Sequence, residues 1–546
     1  MKRFTENDRL LVEKVESLNK SFFFIRTHID ADYLSQKRKK SFDEQTMLQT
    51  IREDCLEKLK GTETGHDAVF LISNLYPAKW DFARLTQAIL DVLPYRQREC
   101  PTLPLLKRKP QLLREVRWAE RSKKHRSKLS EFVEGLETNP SKATRIGVYL
   151  VCFDDKFSIG QGSDGTKIYV GLSDDGYEVA IKSIEKCVQM GGNEKNILNF
   201  PKVRNKKHIV KYRFYQSFGS TKAYLVMDLH EESLRDYVLN KERSLEQLRK
   251  EGPRIIRQIL YGVRTLHCSN PEMHHRDLKP SNILVNVEGE MVLADFGISR
   301  LLPKDATTYQ SGVSGTEGWM AAESLPNEDD DEDYLSHEVI QVRYKKQSDI
   351  QVVGMLCYYV LTKGKHPYGK RVHRTSNISQ GHIDLEDLSD PCARDLITWM
   401  LQHDPAERPD VHQCLKHPYL RTAEENFNLL VSAGNEKEIK TRDATSIVVQ
   451  ELNKLPVFTN WLSMIEVCVM NYMTAHRYPY TNEPADLLRF IRNTAAHWHD
   501  KTPPANVQNT VVAPQEYFER KFPTLPVELH RIIRQHFDWE TRVKYF

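Results

Sequence analysis

The string MHHRDLKPSNILV, residues 273–285, is followed by the triplet Asp295-Phe296-Gly297. Asp277 is an acceptor for a hydroxyl proton, and Lys279 is a cation two residues further on. Asn282 supplies an amide oxygen for a metal and Asp295 a second metal-binding carboxylate. Transfer of a phosphoryl group from ATP with Mg2+ needs this set of groups at this spacing.

The elements that must position them are legible on both sides. Residues 159–171 read IGQGSDGTKIYVG, with Gly160, Gly162 and Gly165 in GxGxxG spacing between apolar alternating runs. That places the glycines in a hairpin turn, where backbone N–H groups approach phosphates without a Cβ in the way. Lys182 ends a VAIK strand and is positioned to neutralise phosphates, with Glu194 of a helical NEKNILNF stretch as its expected carboxylate partner. These motifs resemble the protein kinases. The resemblance implies that Met227 is the gatekeeper, and that Asp228, Leu229 and His230 form the hinge whose backbone holds adenine. It also implies Ser/Thr specificity, with Asp349 anchoring the catalytic loop from a buried helix and Arg408 tying down Glu323. Ala322 stands where that family has proline in its Ala-Pro-Glu motif.

Between Asp295 and Glu323 lies an activation segment with hydroxyls at Thr307, Thr308, Ser311 and Ser314. A phosphate there adds charge that Arg276 can pair with, ordering the loop. The acidic run NEDDDEDY, residues 327–334, reads as a solvated insertion.

Residues 421–546 exceed what a kinase needs, and contain FTNWLSMIEVCVMNYM and YPYTNEPADLLRFIRNTAAHWHD. In that helix Leu487, Leu488 and Ile491 form the apolar stripe, leaving Arg492, Asn493 and His497 to face elsewhere. RNA cleavage without a metal needs a base for the 2′-hydroxyl, an acid for the 5′-oxygen and a cation beside the phosphorane. His497, Tyr480 and Arg492 have those chemistries. His499, seven residues beyond Arg492, has nearly the same helical azimuth about 10 Å along the axis, so sequence geometry does not exclude it. The segment resembles the kinase-extension nuclease domain of ribonuclease L and of the unfolded-protein-response kinase/endoribonuclease. That resemblance makes His497 the principal general acid or base, Arg492 the phosphate stabiliser, Asn493 the orienter and Tyr480 the second proton-transfer group. It implies a 2′,3′-cyclic phosphate product. Trp461 reads as a core anchor.

The first hundred residues follow another pattern: strand SFFFI into Thr27-His28-Ile29-Asp30, helix FDEQTMLQTIREDCLEKL, strand AVFLISN, helix. This looks like the later half of an immunity-related GTPase, with Asp30 in the place of the guanine-reading aspartate. His28 replaces the lysine of that element, and no GxxxxGK[ST] occurs to cradle phosphates.

The expected fold class is therefore multidomain. Residues 1–108 are an α/β GTPase-like fragment lacking the P-loop and 109–145 a basic linker. Residues 146–420 are an α+β bilobal protein kinase and 421–546 an all-α kinase-extension nuclease domain. Lys and Arg number 79 against 75 Asp and Glu, a net +4 too small to argue for nucleic acid by itself. The linker stretch 107–128 is basic enough to touch RNA phosphates or to serve as a nuclear signal, though it reads more simply as a solvated helix or tether. Nine cysteines without CxxC or metal-ligand spacing suggest free thiols in a reducing compartment. No apolar run approaches 18 residues and no signal-type start is present, so a soluble, cytoplasmic protein is expected. ATP or ADP with Mg2+ are the expected cofactors. A homodimer or higher oligomer, a single-stranded or stem-loop RNA substrate, and a GTPase contacted through residues 1–108 are the expected partners. Two other readings compete: a Ser/Thr kinase with a non-catalytic dimerisation tail, and a scaffold that recruits a GTPase.

Overall fold

The chain is described by a computed structural model over residues 24–26, 29–36, 42–58, 69–72, 80–81, 84–85 and 122–138, and over 142–546 with breaks at 162–165, 175, 185–187, 219–221, 302–308, 313–314, 327–340, 475–478, 501 and 545. These residues divide into two compact units, one ending at Ser183 and one starting at Ile184.

In the first unit, strands Phe24–Arg26 (β1) and Val69–Leu71 (β2) pair in parallel, Phe24 opposite Val69 and Arg26 opposite Leu71. A parallel pair requires a crossover, supplied by helices Ile29–Gln36 (α1) and Glu44–Lys58 (α2). Ile29, Met47, Cys55, Val69 and Leu71 bury their side chains together, giving the strand-helix-strand unit anticipated from the alternation of patterns. Thr27 and His28 lie outside the described residues, as does the side chain of Asp30. Helix Arg126–Thr138 (α3) falls in the stretch assigned above to the linker, and it is packed. Leu129, Phe132 and Val133, spaced one turn apart, are buried, and the Phe132 ring meets Phe157 edge-on at 5.4 Å.

Strands Thr144–Ile146 (β3), Tyr149–Val151 (β4), Ser158–Gln161 (β5), Lys167–Ser173 (β6) and Glu178–Ile184 (β7) follow. Their pairings β3–β4, β4–β6, β5–β6 and β6–β7 are all antiparallel. The glycine motif sits at the β5–β6 connection, where Gly160 is opposite Ile168. Gly162 and Gly165 lie outside the described residues.

The second unit starts with helix Val188–Leu198 (α4) and the hairpin of Tyr212–Phe218 (β8) and Lys222–Asp228 (β9). Helix Leu245–His267 (α5) opens with a capping box. Ser244 Oγ accepts from the Gln247 N–H at 3.1 Å and the Gln247 side chain accepts from the Ser244 N–H at 2.8 Å. Its buried face, Leu248, Ile255, Ile259, Val263 and Leu266, has helical spacing and delivers the chain to the catalytic loop. Strands Ile283–Val285 (β10) and Met291–Leu293 (β11) flank Asn282 and Asp295. Strand Tyr309–Gly312 (β12) of the activation segment pairs with Gln341–Tyr344 (β13). Helix Lys346–Leu361 (α6) is apolar around its circumference and correspondingly buried, as a helix at the centre of a lobe must be.

From residue 421 onward the described secondary structure is helical, with its own apolar core around Leu429, Leu452, Trp461, Leu488, Phe490 and Phe522. Helix Ala423–Gly434 (α7) crosses Pro484–His497 (α8) closely. A Cβ on Gly434 would stand 2.7 Å from the Leu488 carbonyl oxygen, so only glycine fits. Leu487, Leu488, Phe490 and Ile491 of α8 are fully buried, which fixes the helix against rotation at about 1.5–3 kcal/mol per side chain.

Candidate functional site

The first site is built from the loop after α5. His275 is buried, and burial pushes its imidazole pKa below the ordinary range, so the ring is neutral. Its Nε2 is 3.1 Å from the Ala294 carbonyl and its Nδ1 is 3.4 Å from the Asp277 N–H, which places the proton on Nε2. Asp349, from the first turn of α6, accepts from the His275 and Arg276 N–H groups at 3.0 and 3.2 Å and pairs with His267 Nε2 at 3.0 Å. Burial opposes its charge, but the His267 hydrogen bond and the neighbouring imidazoles outweigh that and hold the carboxyl at about 2. This is the anchoring role its position in the sequence implied.

On that frame Asp277 Oδ2 accepts from Lys279 Nζ at 2.7 Å and from Asn282 Nδ2 at 2.9 Å. Its Oδ1 accepts from the Thr316 hydroxyl at 2.6 Å, and Lys279 Nζ donates to that hydroxyl at 2.7 Å. Thr316, 39 residues from Asp277, escaped the sequence reading because nothing local marks it among the hydroxyls of its segment. Asn282 spends its amide N–H groups on Asp277, at the backbone oxygen (2.8 Å) as well as the carboxylate. Its amide oxygen and the Asp295 carboxylate are hard oxygen donors, the ligand chemistry that suits Mg2+. The Ala294 N–H donates to the Asn282 carbonyl at 2.9 Å, tying the two ligand positions together.

Glu194 on α4 is buried, and its carboxylate accepts from the Phe296 N–H at 3.3 Å. Lys182 lies on β7 opposite Ile168, partly exposed. Met227 is buried at the end of β9, followed by Asp228, Leu229 and His230. The His230 ring is 2.9 Å from the Asp228 carbonyl, and burial lowers its pKa. Arg276 lays its guanidinium over the Tyr344 ring at 3.9 Å and beside a small cleft that Trp319, Lys345 and Ser348 also line. Tyr344 belongs to β13, so Arg276 reaches the strand that pairs with the activation segment. Ser311 lies on β12; Thr307, Thr308, Ser314 and the acidic run 327–334 lie outside the described residues. Arg408 holds Glu323 in a two-pronged pair at 2.8 and 2.9 Å, as the motif predicts.

The second site is at the C-terminal end of α8. Buried Asp486, in the helix's first turn, accepts from the Thr481 N–H at 2.8 Å and from Arg442 at 2.8 and 3.0 Å. Trp461, fully buried, donates to the carbonyls of Thr481 and Glu483 at 3.0 and 3.2 Å, a core anchor as expected. Held this way, the loop delivers the Tyr480 hydroxyl to Asn493 Nδ2 at 2.6 Å. The partly exposed His497 Nδ1 stands 2.7 Å from Asp500 Oδ2, a partner that the sequence reading did not consider. Arg492 emerges from the same helix, partly buried, its Cβ facing Gly434. The helix ends at His497 with Trp498, still helical in conformation, as its cap, and His499 beyond it is exposed.

Elsewhere in this unit Asp395, His417 and His530 come within 4.8 Å of one another, all buried. Arg531 Nε and Arg534 Nη1 bind the two Asp395 oxygens at 2.9 and 2.8 Å. A carboxylate already saturated by two guanidinium groups is a poor cation ligand, and the cluster reads as an ion-pair network joining helices 391–400 and 525–533.

Comparison with known proteins finds three family matches along the chain. The protein kinase domain family matches residues 153–420, ribonuclease 2-5A matches 426–546, and the interferon-inducible GTPase family matches 1–251. The first and last overlap over 153–251. In that stretch the strand pairs are antiparallel, whereas the parallel pair of a GTPase-like unit lies within residues 24–71. The chain is 30% identical over 394 residues to the serine/threonine-protein kinase/endoribonuclease ire-1 of Caenorhabditis elegans, covering 68% of this chain and 38% of that protein. It is 28% identical over 404 residues to the serine/threonine-protein kinase/endoribonuclease IRE2 of Homo sapiens, covering 70% and 41%. Against the serine/threonine-protein kinase/endoribonuclease IRE1 of Oryza sativa the identity is 28% over 454 residues, covering 78% and 48%. The chain thus spans less than half the length of these curated relatives. Among the described residues no helix is long and apolar enough to cross a membrane.

Proposed function

We propose, from the premise that this chain carries a protein kinase domain joined directly to a ribonuclease 2-5A domain behind an interferon-inducible GTPase-like segment, that it is a Ser/Thr protein kinase and a metal-independent endoribonuclease. The observation that carries the reading is the presence on one chain of two sets of groups with complementary chemistry. The first is Asp277 bonded to Lys279, Asn282 and Thr316; the second is the helix that sets Asn493 against Tyr480 and ends on His497.

In the kinase, Gly160, Gly162 and Gly165 line the phosphate turn, and Lys182 supplies the cation to the nucleotide with Glu194 as its supporting carboxylate. Met227 through His230 hold adenine, and Asn282 and Asp295 hold Mg2+, which when bound neutralises charge developing on the phosphates. Asp277 accepts the proton of the attacking Ser or Thr hydroxyl. Thr307, Thr308, Ser311 and Ser314 are the sites of autophosphorylation, and Arg276 receives the resulting phosphate.

In the nuclease, His497 moves the proton at the 2′-hydroxyl or 5′-oxygen, and Tyr480 serves the opposite side. Arg492 meets the phosphorane charge and Asn493 orients, leaving a 2′,3′-cyclic phosphate. ATP or ADP binding and pairing of two chains activate cleavage, which makes activity steeper than linear in protein concentration. Residues 1–108 and 109–145 precede the catalytic domains of 146–420 and 421–546. The GTPase-like segment acts as a contact surface for an intact GTPase.

Cleavage of a labelled single-stranded RNA by wild type and His497→Ala, across a protein concentration series with and without ADP and Mg2+, tests this. Nucleotide-stimulated cleavage that vanishes in the variant is the expected outcome. A folded, nucleotide-binding wild type that cuts no RNA would leave a kinase with a non-catalytic tail.

A further inference from the structure

Helix α4 meets the segment after Asp295 through two adjacent residues with opposite hydrogen-bonding roles. Glu194 accepts from the Phe296 N–H at 3.3 Å. Asn193 Nδ2 stands 3.1, 3.0 and 3.0 Å from the carbonyl oxygens of Phe296, Gly297 and Ser299. An amide NH2 has two hydrogens and no charge, so it can serve a cluster of carbonyls that a carboxylate would repel. Phe296, Gly297 and Ser299 are buried, and loss of the amide removes a donor from carbonyls that water does not readily reach.

The segment needs fastening. Asp295 has φ 64, a left-handed conformation that non-glycine residues adopt only when their surroundings hold them there. On its N-terminal side the Ala294 N–H donates to the Asn282 carbonyl at 2.9 Å. On its C-terminal side α4 fastens it through Asn193 and Glu194, beside the Ser299 hydroxyl, which donates to the His275 carbonyl at 2.8 Å. The motif reading picked out Glu194 and passed over its neighbour, because the partners of Asn193 lie 103 to 106 residues away.

We infer that Asn193 is a positioning residue for Asp295, so that the Mg2+ affinity of the nucleotide complex depends on an amide carried by helix α4. The inference rests on the nucleotide-binding reading above. It makes the placement of α4 and the readiness of the metal site a single property: a shift of the helix withdraws the donor shared by three carbonyls next to Asp295. Aspartate at 193 keeps the shape and replaces the donor by an acceptor, whereas alanine removes the group.

The test is ADP affinity of the full chain, measured by calorimetry without metal and over a Mg2+ concentration series, for wild type, Asn193→Ala and Asn193→Asp. Thermal unfolding checks that each variant is folded. The Mg2+ concentration for half-maximal effect is expected to rise about tenfold in Asn193→Ala and further in Asn193→Asp, in the range seen when a group supporting a metal ligand is removed, while metal-free ADP affinity changes little. Should Asn193→Ala unfold below the assay temperature, Asn193→Ser, which keeps one donor, is expected to show the same effect in smaller degree. An unchanged Mg2+ requirement in folded Asn193→Asp overturns the inference, as does an equal loss of metal-free and Mg2+-supported binding. A folded wild type that binds no ADP at any Mg2+ concentration overturns the nucleotide-binding reading itself.

Discussion

Around Asp277 the donors and acceptors close on one another: Lys279, Asn282 and Thr316 all contact its carboxylate, and Asp349 holds the backbone behind it from a buried helix. Around His497 the closure is partial. Its side chain pairs with the exposed Asp500, and the tight Tyr480–Asn493 bond lies one helical turn back. Both sites are proposed to act on phosphorus, and the contrast matches what each has to do. Transfer from a small nucleotide profits from groups fixed in advance and shielded from water. Cleavage of a long RNA needs a general acid or base that a large substrate can reach, so that group sits at the end of a helix.

The most severe way to separate the two sites is to remove one chemical group from each. Asp277→Asn is expected to lower autophosphorylation about 10²- to 10⁴-fold while RNA cleavage with ADP persists; incorporation of labelled phosphate and RNA cleavage, assayed in parallel, measure this. His497→Ala is expected to do the reverse by a similar factor. If either substitution silences both activities in a folded protein, the sites are not separable as described.

Arg408→Ala comes next. It leaves the partly buried Glu323 carboxylate with the Ser348 hydroxyl as a remaining donor, and it should lower the unfolding temperature and phosphotransfer together. Tyr480→Phe deletes the 2.6 Å bond to Asn493, at a cost of about 1–3 kcal/mol if the amide is left unpaired. Cleavage should fall while autophosphorylation is unchanged, and equal cleavage by the variant would remove Tyr480 from the mechanism.

Acid should loosen the kinase frame in two stages. His275 stays neutral in the folded protein, so the unfolded chain alone takes up its proton as pH falls below about 6.5, and stability begins to decline. Asp349, held at about 2 in the fold, contributes stability that is complete above the unfolded carboxylate range and is lost as pH falls through about 2, worth about 2 kcal/mol. Unfolding temperature between pH 2 and 8 should therefore drop monotonically towards acid, and an increase anywhere below pH 6 contradicts the assignment. The smallest effect is at the exposed pair: Asp500→Asn should slow cleavage about twofold to fivefold, whereas an unchanged rate would make Asp500 a bystander.

Much of the kinase site was readable because its parts lie in short strings whose spacing is itself chemical. Asp277, Lys279 and Asn282 share one loop, and the run from Leu487 to His497 shares one helix with a defined buried stripe. Thr316 was not readable, since a threonine in a hydroxyl-rich segment carries no local mark. Asp500 carried no local mark, since its contact with His497 forms only where the chain passes beyond the end of the helix. The packed helix 126–138 was hidden by the basic residues around it, which obscured the stripe of Leu129, Phe132 and Val133.

The amino-acid sequence by itself determined which groups are present and which share an element, because helical and strand periods are set by the backbone over a few residues. Only the tertiary structure decided that Thr316 stands between Asp277 and Lys279, that Asn193 serves the carbonyls beside Asp295, and that Gly434 lets two helices close around Arg492. Those contacts depend on how apolar faces far apart in the chain bury one another, and no local spacing encodes that.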